Sequence, residues 1–131
     1  MSQRPMVLVV DDEADARTMI IDFLDERFDC TFRVAKDGDE AVAFVKANHC
    51  DIMLLDIKMP KKSGMSVIQE AKQIDPAIDI IVVSAWVSDE VAAEAMKLGA
   101  TDYAVKPMDM KAISLKFARI LEKRGQKASK I

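Results

Sequence analysis

Hydrophobic and polar positions along the chain switch between two periods. Short apolar or mixed runs at 6–10 (Met-Val-Leu-Val-Val), 31–35 (Thr-Phe-Arg-Val-Ala), 51–55 (Asp-Ile-Met-Leu-Leu), 79–84 (Asp-Ile-Ile-Val-Val-Ser) and 101–105 (Thr-Asp-Tyr-Ala-Val) predict strands. Three of them are nearly continuous hydrophobes, the pattern of strands buried on both faces. Between the runs the apolar positions recur at helical spacing. Ala16, Ile20, Phe23 and Leu24 mark a first helix, Ala41, Val42 and Val45 a second, and Val67, Ile68 and Ala71 a third that Pro76 stops. Val91, Ala95 and Leu98 mark a fourth, with Ser88 as N-cap, Asp89 and Glu90 in its first turn and Gly99 as terminator. Ile113, Phe117, Ile120 and Leu121 mark a fifth, opened by Asp109.

Five strand-helix units in alternation predict an α/β domain, a parallel sheet with helices on both faces. In such sheets ligands bind beyond the carboxyl ends of the strands. The polar residues at those ends are Asp11 and Asp12 after the first strand, Asp56 after the third, Ser84 at the end of the fourth, and Lys106 followed by Pro107 after the fifth. Three carboxylates at the ends of buried strands repel one another and lose hydration, so their convergence is physically sensible mainly around a cation or a cationic partner. The bland alternative for Asp12 is an N-cap on the helix beginning near Glu13. Capping does not explain two adjacent aspartates with a third across the sheet.

Composition narrows the picture. The 131 residues are half hydrophobic but only 5% aromatic, so one domain with an aliphatic core is expected, its gaps filled by nine Met. No apolar run approaches the about 20 residues of a membrane helix, and the N-terminus lacks a signal-peptide pattern; a cytoplasmic location and no membrane contact are expected. Cys30 and Cys50 have no metal-ligand spacing and read as inert, buried thiols. The net charge of −3 is uneven: residues 1–110 carry 12 bases against 21 acids, whereas 111–131 carry seven Lys or Arg against Glu122 alone. A domain over 1–121 with a basic tail or linker over 122–131 is the expectation, and its acidic body argues against binding a phosphate backbone. His49, the one histidine, follows Asn48 at a helix end and is expected to be solvated.

Taken together, Val9-Val10-Asp11-Asp12-Glu13, Asp37-Gly38-Asp39-Glu40-Ala41, Leu54-Leu55-Asp56-Ile57-Lys58-Met59-Pro60 with Gly64, Val83-Ser84-Ala85, and Gly99-Ala100-Thr101-Asp102-Tyr103-Ala104-Val105-Lys106-Pro107 resemble the receiver domain of two-component response regulators, from Val7 to about Leu121. The resemblance implies a flavodoxin-like, doubly wound sheet in strand order 2-1-3-4-5 with five helices. It further implies a phosphoacceptor signalling domain, catalysing only its own phosphorylation and slow dephosphorylation. Asp56 is then the nucleophile, and Mg²⁺ is held by Asp12, Asp56, the Lys58 carbonyl and, through a water, Asp11. Lys106 pairs with Asp56 and then with a phosphoryl oxygen, Ser84 donates its hydroxyl to another, and Tyr103 is the switch aromatic. A cis Lys106-Pro107 bond belongs to the same pattern. The implied partners are a sensor histidine kinase or phosphotransfer protein upstream, and downstream a protein target, an attached output domain, or a second copy in a phosphorylation-dependent homodimer. The signalling face is expected on the fourth helix, fifth strand and fifth helix, with Val91, Ala95, Lys97 and Tyr103.

Rival functions fail on particular positions. A haloacid-dehalogenase-like phosphohydrolase needs an acid two residues after its nucleophile, where Lys58 stands. A nucleotide-binding module needs a glycine-rich loop after the first strand, and Asp-Asp-Glu-Ala-Asp has none. A degenerate receiver serving as a scaffold would lack a site residue, and none is missing. Lys58 and Trp86, each two positions beyond a site residue, are expected to shield the acyl phosphate from water, with partner contact the duller reading for Trp86.

Overall fold

The computed structural model describes residues 4–59, 63–85, 88–107 and 109–126. The chain runs β1 (Met6–Val10), α1 (Ala14–Arg27), β2 (Thr31–Ala35), α2 (Gly38–Ala47), β3 (Ile52–Leu55), α3 (Gly64–Ile74), β4 (Asp79–Ser84), α4 (Asp89–Lys97), β5 (Asp102–Val105) and α5 (Met110–Lys123). All strand pairs are parallel, in the order β2-β1-β3-β4-β5. The fold is the flavodoxin-like one expected. Asp51 and Thr101, which the pattern placed inside strands, stand just before β3 and β5 and use their side chains elsewhere.

Helix starts follow local capping chemistry. Asp37 accepts from the Glu40 amide, Ser63 from Met65, Ser88 from Val91, and Asp109 from Lys111 and Ala112, each satisfying N–H groups that a helix leaves unpaired. α1 is different: Glu13 stands at its N-cap and makes no capping bond, so Asp12 is not a cap either. Gly99, at φ +114°, takes the left-handed turn that ends α4.

Alternation along the strands divides the core in two. Leu8, Val10, Met53, Leu55, Ile80 and Val82 face α2, α3 and α4 through Val42, Val67, Ile68, Ala71 and Ala95. Val7, Val9, Ile52, Leu54, Ile81 and Val83 face α1 and α5 through Ile20, Leu24, Ile113 and Phe117. Full burial of each such aliphatic side chain contributes about 1.5–3 kcal/mol. Phe117 meets Phe28 edge-on at 4.9 Å between ring centroids. Ala95 is therefore core, 1% exposed, as its place in the apolar stripe of α4 indicates, and does not belong to the signalling surface expected from the family resemblance; Met96 and Lys97 beside it are exposed. Cys30 and Cys50 are buried free thiols whose pKa burial pushes up to about 12, so they stay protonated and inert.

At the amino-terminal end of the sheet, polar groups close into a network around Arg124, the C-cap of α5. Its guanidinium donates to Asp51 at 2.9 Å, to Asp79 at 2.8 Å and to the Ala77 carbonyl at 2.9 Å. Asp51 also accepts from the Met6 amide and lies 2.9 Å from the His49 ring, while Thr101 donates to Asp79. His49 is exposed as expected, yet it is partnered. Burial pushes the Asp51 carboxyl up, but the Met6 amide, His49 and Arg124 outweigh it and hold it below its ordinary 3.8. Because the folded-state value is the lower one, the stability this provides is present above pH 3.8 and is lost as pH falls through the folded value. Arg124→Met is expected to cost about 2–3 kcal/mol by stranding two carboxylates, and to move the acid-unfolding midpoint upward. Urea titrations at neutral and acid pH check both.

Candidate functional site

Strand register assembles the opposite end of the sheet. Val10 pairs with Leu55 and Ser84 with Val105, so the residues that follow emerge side by side. The Asp56 amide continues the ladder to the Val10 carbonyl at 3.0 Å, the Asp11 amide to Ala35 at 3.1 Å, and the Lys106 amide to Ser84 at 2.9 Å. Asp11, Asp12, Asp56 and Lys106 thus converge from β1, β3 and β5.

Carboxylate oxygens of Asp11, Asp12 and Asp56 lie within 4.8 Å of one another. Asp11 and Asp56 are buried, at 2% and 6% exposure, whereas Asp12 is exposed. The Lys106 ammonium donates to Asp11 at 2.6 Å and to Asp56 at 3.1 Å. A unit-charge pair at about 3 Å attracts by about 5–6 kcal/mol at an effective dielectric of 20, much of it offset by desolvation. Burial pushes the lysine toward neutrality, but bonds to Asp11 and Asp56 outweigh it and raise its pKa, so it stays an ammonium. One ammonium among three carboxylates leaves a formal charge of −2. All the donors are hard oxygens, which fits a divalent cation of the magnesium type, not a thiophilic metal.

Asp11 and Asp56 are held from behind. Asp11 Oδ1 accepts from the Glu13 amide and Asp56 Oδ1 from the Lys58 amide, both at 2.9 Å. The Lys58 side chain is exposed. Gly64 anchors the loop after Asp56: its amide bonds the Ile57 carbonyl, and a Cβ there would lie 2.3 Å from Ile57 Cα. Only glycine fits that approach. Ser84 is wholly buried and Tyr103 is 38% exposed, with the Lys116 ammonium 5.7 Å from its ring centroid. The Lys106-Pro107 bond is cis. Trp86 lies outside the described residues, so the shielding expected of it has no structural counterpart here.

Arg17 was not singled out by the sequence pattern. Its guanidinium donates to the main-chain carbonyl of Asp11 at 2.7 Å. A cation in the first turns of α1, where the helix dipole disfavours it, was the available signal.

Residues 7–118 match the response regulator receiver domain family. The chain belongs to that family. It is 41% identical over 101 residues to the chemotaxis protein CheY of Thermotoga maritima, covering 77% of this chain and 84% of that protein. It is 37% identical over 103 residues to the transcriptional regulatory protein ZraR of Salmonella typhimurium, covering 79% of this chain but only 23% of ZraR. Among solved structures, the receiver domain of Francisella response regulator 1452 superposes with a TM-score of 0.84 at 27% identity, over 92% of this chain and 99% of that one.

The charge imbalance predicts a stability response. A divalent cation at about tenfold over its dissociation constant should stabilise the fold by about 1.4 kcal/mol, a rise of several degrees in melting temperature. Asp12→Asn is expected to remove most of that rise in a calorimetric scan with and without millimolar Mg²⁺; an undiminished response would refute the cation site.

Proposed function

We propose that this receiver is a phosphorylation-activated switch in which Asp56 takes a phosphoryl group from a histidine kinase or phosphotransfer protein. The observation that carries the reading is the Lys106 ammonium bridging Asp11 and Asp56 beside exposed Asp12. An Asp56 oxygen attacks the phosphorus of the donor's phosphohistidine, the P–N bond breaks, and the departing imidazole takes up a proton. Because the transferring group is already anionic, the reaction needs positioning and charge neutralisation more than a base. Lys106 keeps its positive charge and meets a phosphoryl oxygen, and the Ser84 hydroxyl donates to another. Asp11, Asp12, Asp56 and the Lys58 carbonyl would hold Mg²⁺, which when bound supplies the remaining neutralisation of developing charge.

The acyl phosphate then biases a two-state element. Ser84 moves toward the phosphate, Tyr103 turns inward, and the surface of α4, β5 and α5 changes. That surface leaves Met96, Tyr103, Val105 and Leu115 exposed, a large apolar content for a monomer to show water. The relatives span both output arrangements: CheY is matched over most of its length and ZraR over about a quarter. The target is therefore a separate protein, an attached output domain or a second receiver, acting in the cytosol.

Acetyl phosphate with and without Mg²⁺ tests the chemistry. Asp56→Asn is expected to abolish phosphoryl uptake, read by mass spectrometry, while leaving the fold intact by circular dichroism, because the residue lies at a strand end and outside the apolar core. Phosphate found on Ser84 or His49 would overturn the assignment. For the output face, beryllofluoride is expected to double the mass seen by light scattering; a monomer in both states assigns the face to a different protein.

A further inference from the structure

Arg17 is an expensive residue where it stands. It lies in the first turns of α1, at the positive end of the helix dipole, on the one helix whose N-cap residue makes no side-chain cap bond. An acid or a neutral residue would suit α1 better. The guanidinium does not compensate by an ion pair with a neighbouring acid; it reaches back to donate to the Asp11 carbonyl at 2.7 Å, a short, charge-assisted bond.

With that bond every polar group of Asp11 is engaged. Its amide bonds Ala35, its carbonyl Arg17, Oδ1 the Glu13 amide, and Oδ2 the Lys106 ammonium. The carbonyl of Asp11 belongs to the peptide that links it to Asp12. Holding that oxygen fixes the plane of the peptide, and with it the direction in which the exposed Asp12 carboxylate leaves the backbone. Among the described residues no hydrogen bond holds the Asp12 side chain itself, so the peptide plane is the handle through which the fold can aim it.

We propose that Arg17 is a positioning residue for the acidic site: it clamps the Asp11-Asp12 peptide so that the carboxylates are presented together, lowering the cost of gathering them around the divalent cation. The proposal rests on the site reading above. Two opposite effects of Arg17 compete. As a cation it repels the metal, and its removal would then tighten binding. As a clamp it preorganises the ligands, and its removal would then loosen binding. Groups that orient metal ligands from behind commonly cost 10–100-fold in affinity when mutated, about tenfold at the low end, whereas a solvated charge acting across water is screened.

Three proteins decide it: the parent, Arg17→Met, which keeps the stem and loses the donors, and Arg17→Lys, which keeps the charge and loses the planar fork. The first measurement uses no metal. The Glu13 amide is hydrogen-bonded to Asp11 Oδ1, and its hydrogen exchange in metal-free protein should quicken at least about tenfold in Arg17→Met, with amides of the β3 core unchanged; equal exchange overturns the clamp. The second is Mg²⁺ titration by calorimetry, where the dissociation constant is expected to rise about tenfold in Arg17→Met and less in Arg17→Lys. An unchanged or tighter constant in both variants overturns the proposal in favour of simple repulsion. With acetyl phosphate, the half-saturating Mg²⁺ concentration should rise by a larger factor than the maximal rate falls, a split that general destabilisation would not produce. If Arg17→Met does not fold, Arg17→Lys carries both measurements. Failure of the parent to bind Mg²⁺ would sink the site reading instead, and the exchange comparison would still decide whether Arg17 holds the turn.

Discussion

Lys106 lies between two buried carboxylates, and the remaining site geometry depends on that ammonium. Asp11 and Asp56 come from neighbouring strands whose register forces them together, so without a cation they would repel at short range in a poorly hydrated place. Lys106 reaches both from β5, across β4, because its own amide is registered on Ser84. The sheet therefore does more than carry the residues. Its hydrogen-bond ladder sets three strand ends level, and the site inherits its dimensions from strand spacing. A slip of one residue in any of these strands would turn core residues outward and scatter the cluster.

The lysine neutralises the pair without closing the site. Two of the three carboxylates are buried and partnered, while the third, Asp12, stays exposed at the rim. That division gives the site a rigid half and an exposed half. The rigid half keeps Asp56 and the Lys106 ammonium at hydrogen-bond distance, and the exposed half leaves charge unmatched. Such residual charge is costly for stability and useful for chemistry that must attract a cation and an anionic phosphoryl donor together.

Much of this was legible in the sequence for a simple reason: strands buried on both faces must be nearly all apolar, so each polar residue closing such a run stands out. Asp11, Asp56 and Ser84 were readable that way, as were Ser88 and Asp109, whose caps follow from local spacing. Arg17, Arg124 and the partners of Asp51 were not, since their bonds join residues six, 47 and 73 positions apart or run to main-chain carbonyls, which leave no residue-type signature. Ala95 misled for a different reason. Helical periodicity put it on the apolar stripe with Val91 and Leu98, which is where it packs, but the expectation of a signalling face on α4 drew in a residue of the buried side along with exposed Lys97.

The two ends of the sheet show how the fold divides its labour. At the amino-terminal end Asp51 and Asp79 meet one guanidinium whose donors are also shared with a carbonyl, and Thr101, His49 and the Met6 amide complete the set. One guanidinium against two carboxylates leaves a formal charge of −1 there, smaller than at the other end, and these groups tie the starts of β1, β3 and β4 to the end of α5. At the carboxyl end the same strands finish in a cluster that is deliberately short of positive charge. Had both ends been this near to balance, the domain would be more stable and have nothing to bind; had neither been, repulsion at each end would work against one small core. Arg124 pins the end of α5, so in the proposed switch a change at Ser84, Tyr103 or Lys106 would be taken up by β5, α4 and the near end of α5. Under the same proposal, that pinning would direct a charge event at Asp56 toward the face where Met96, Tyr103, Val105 and Leu115 are exposed.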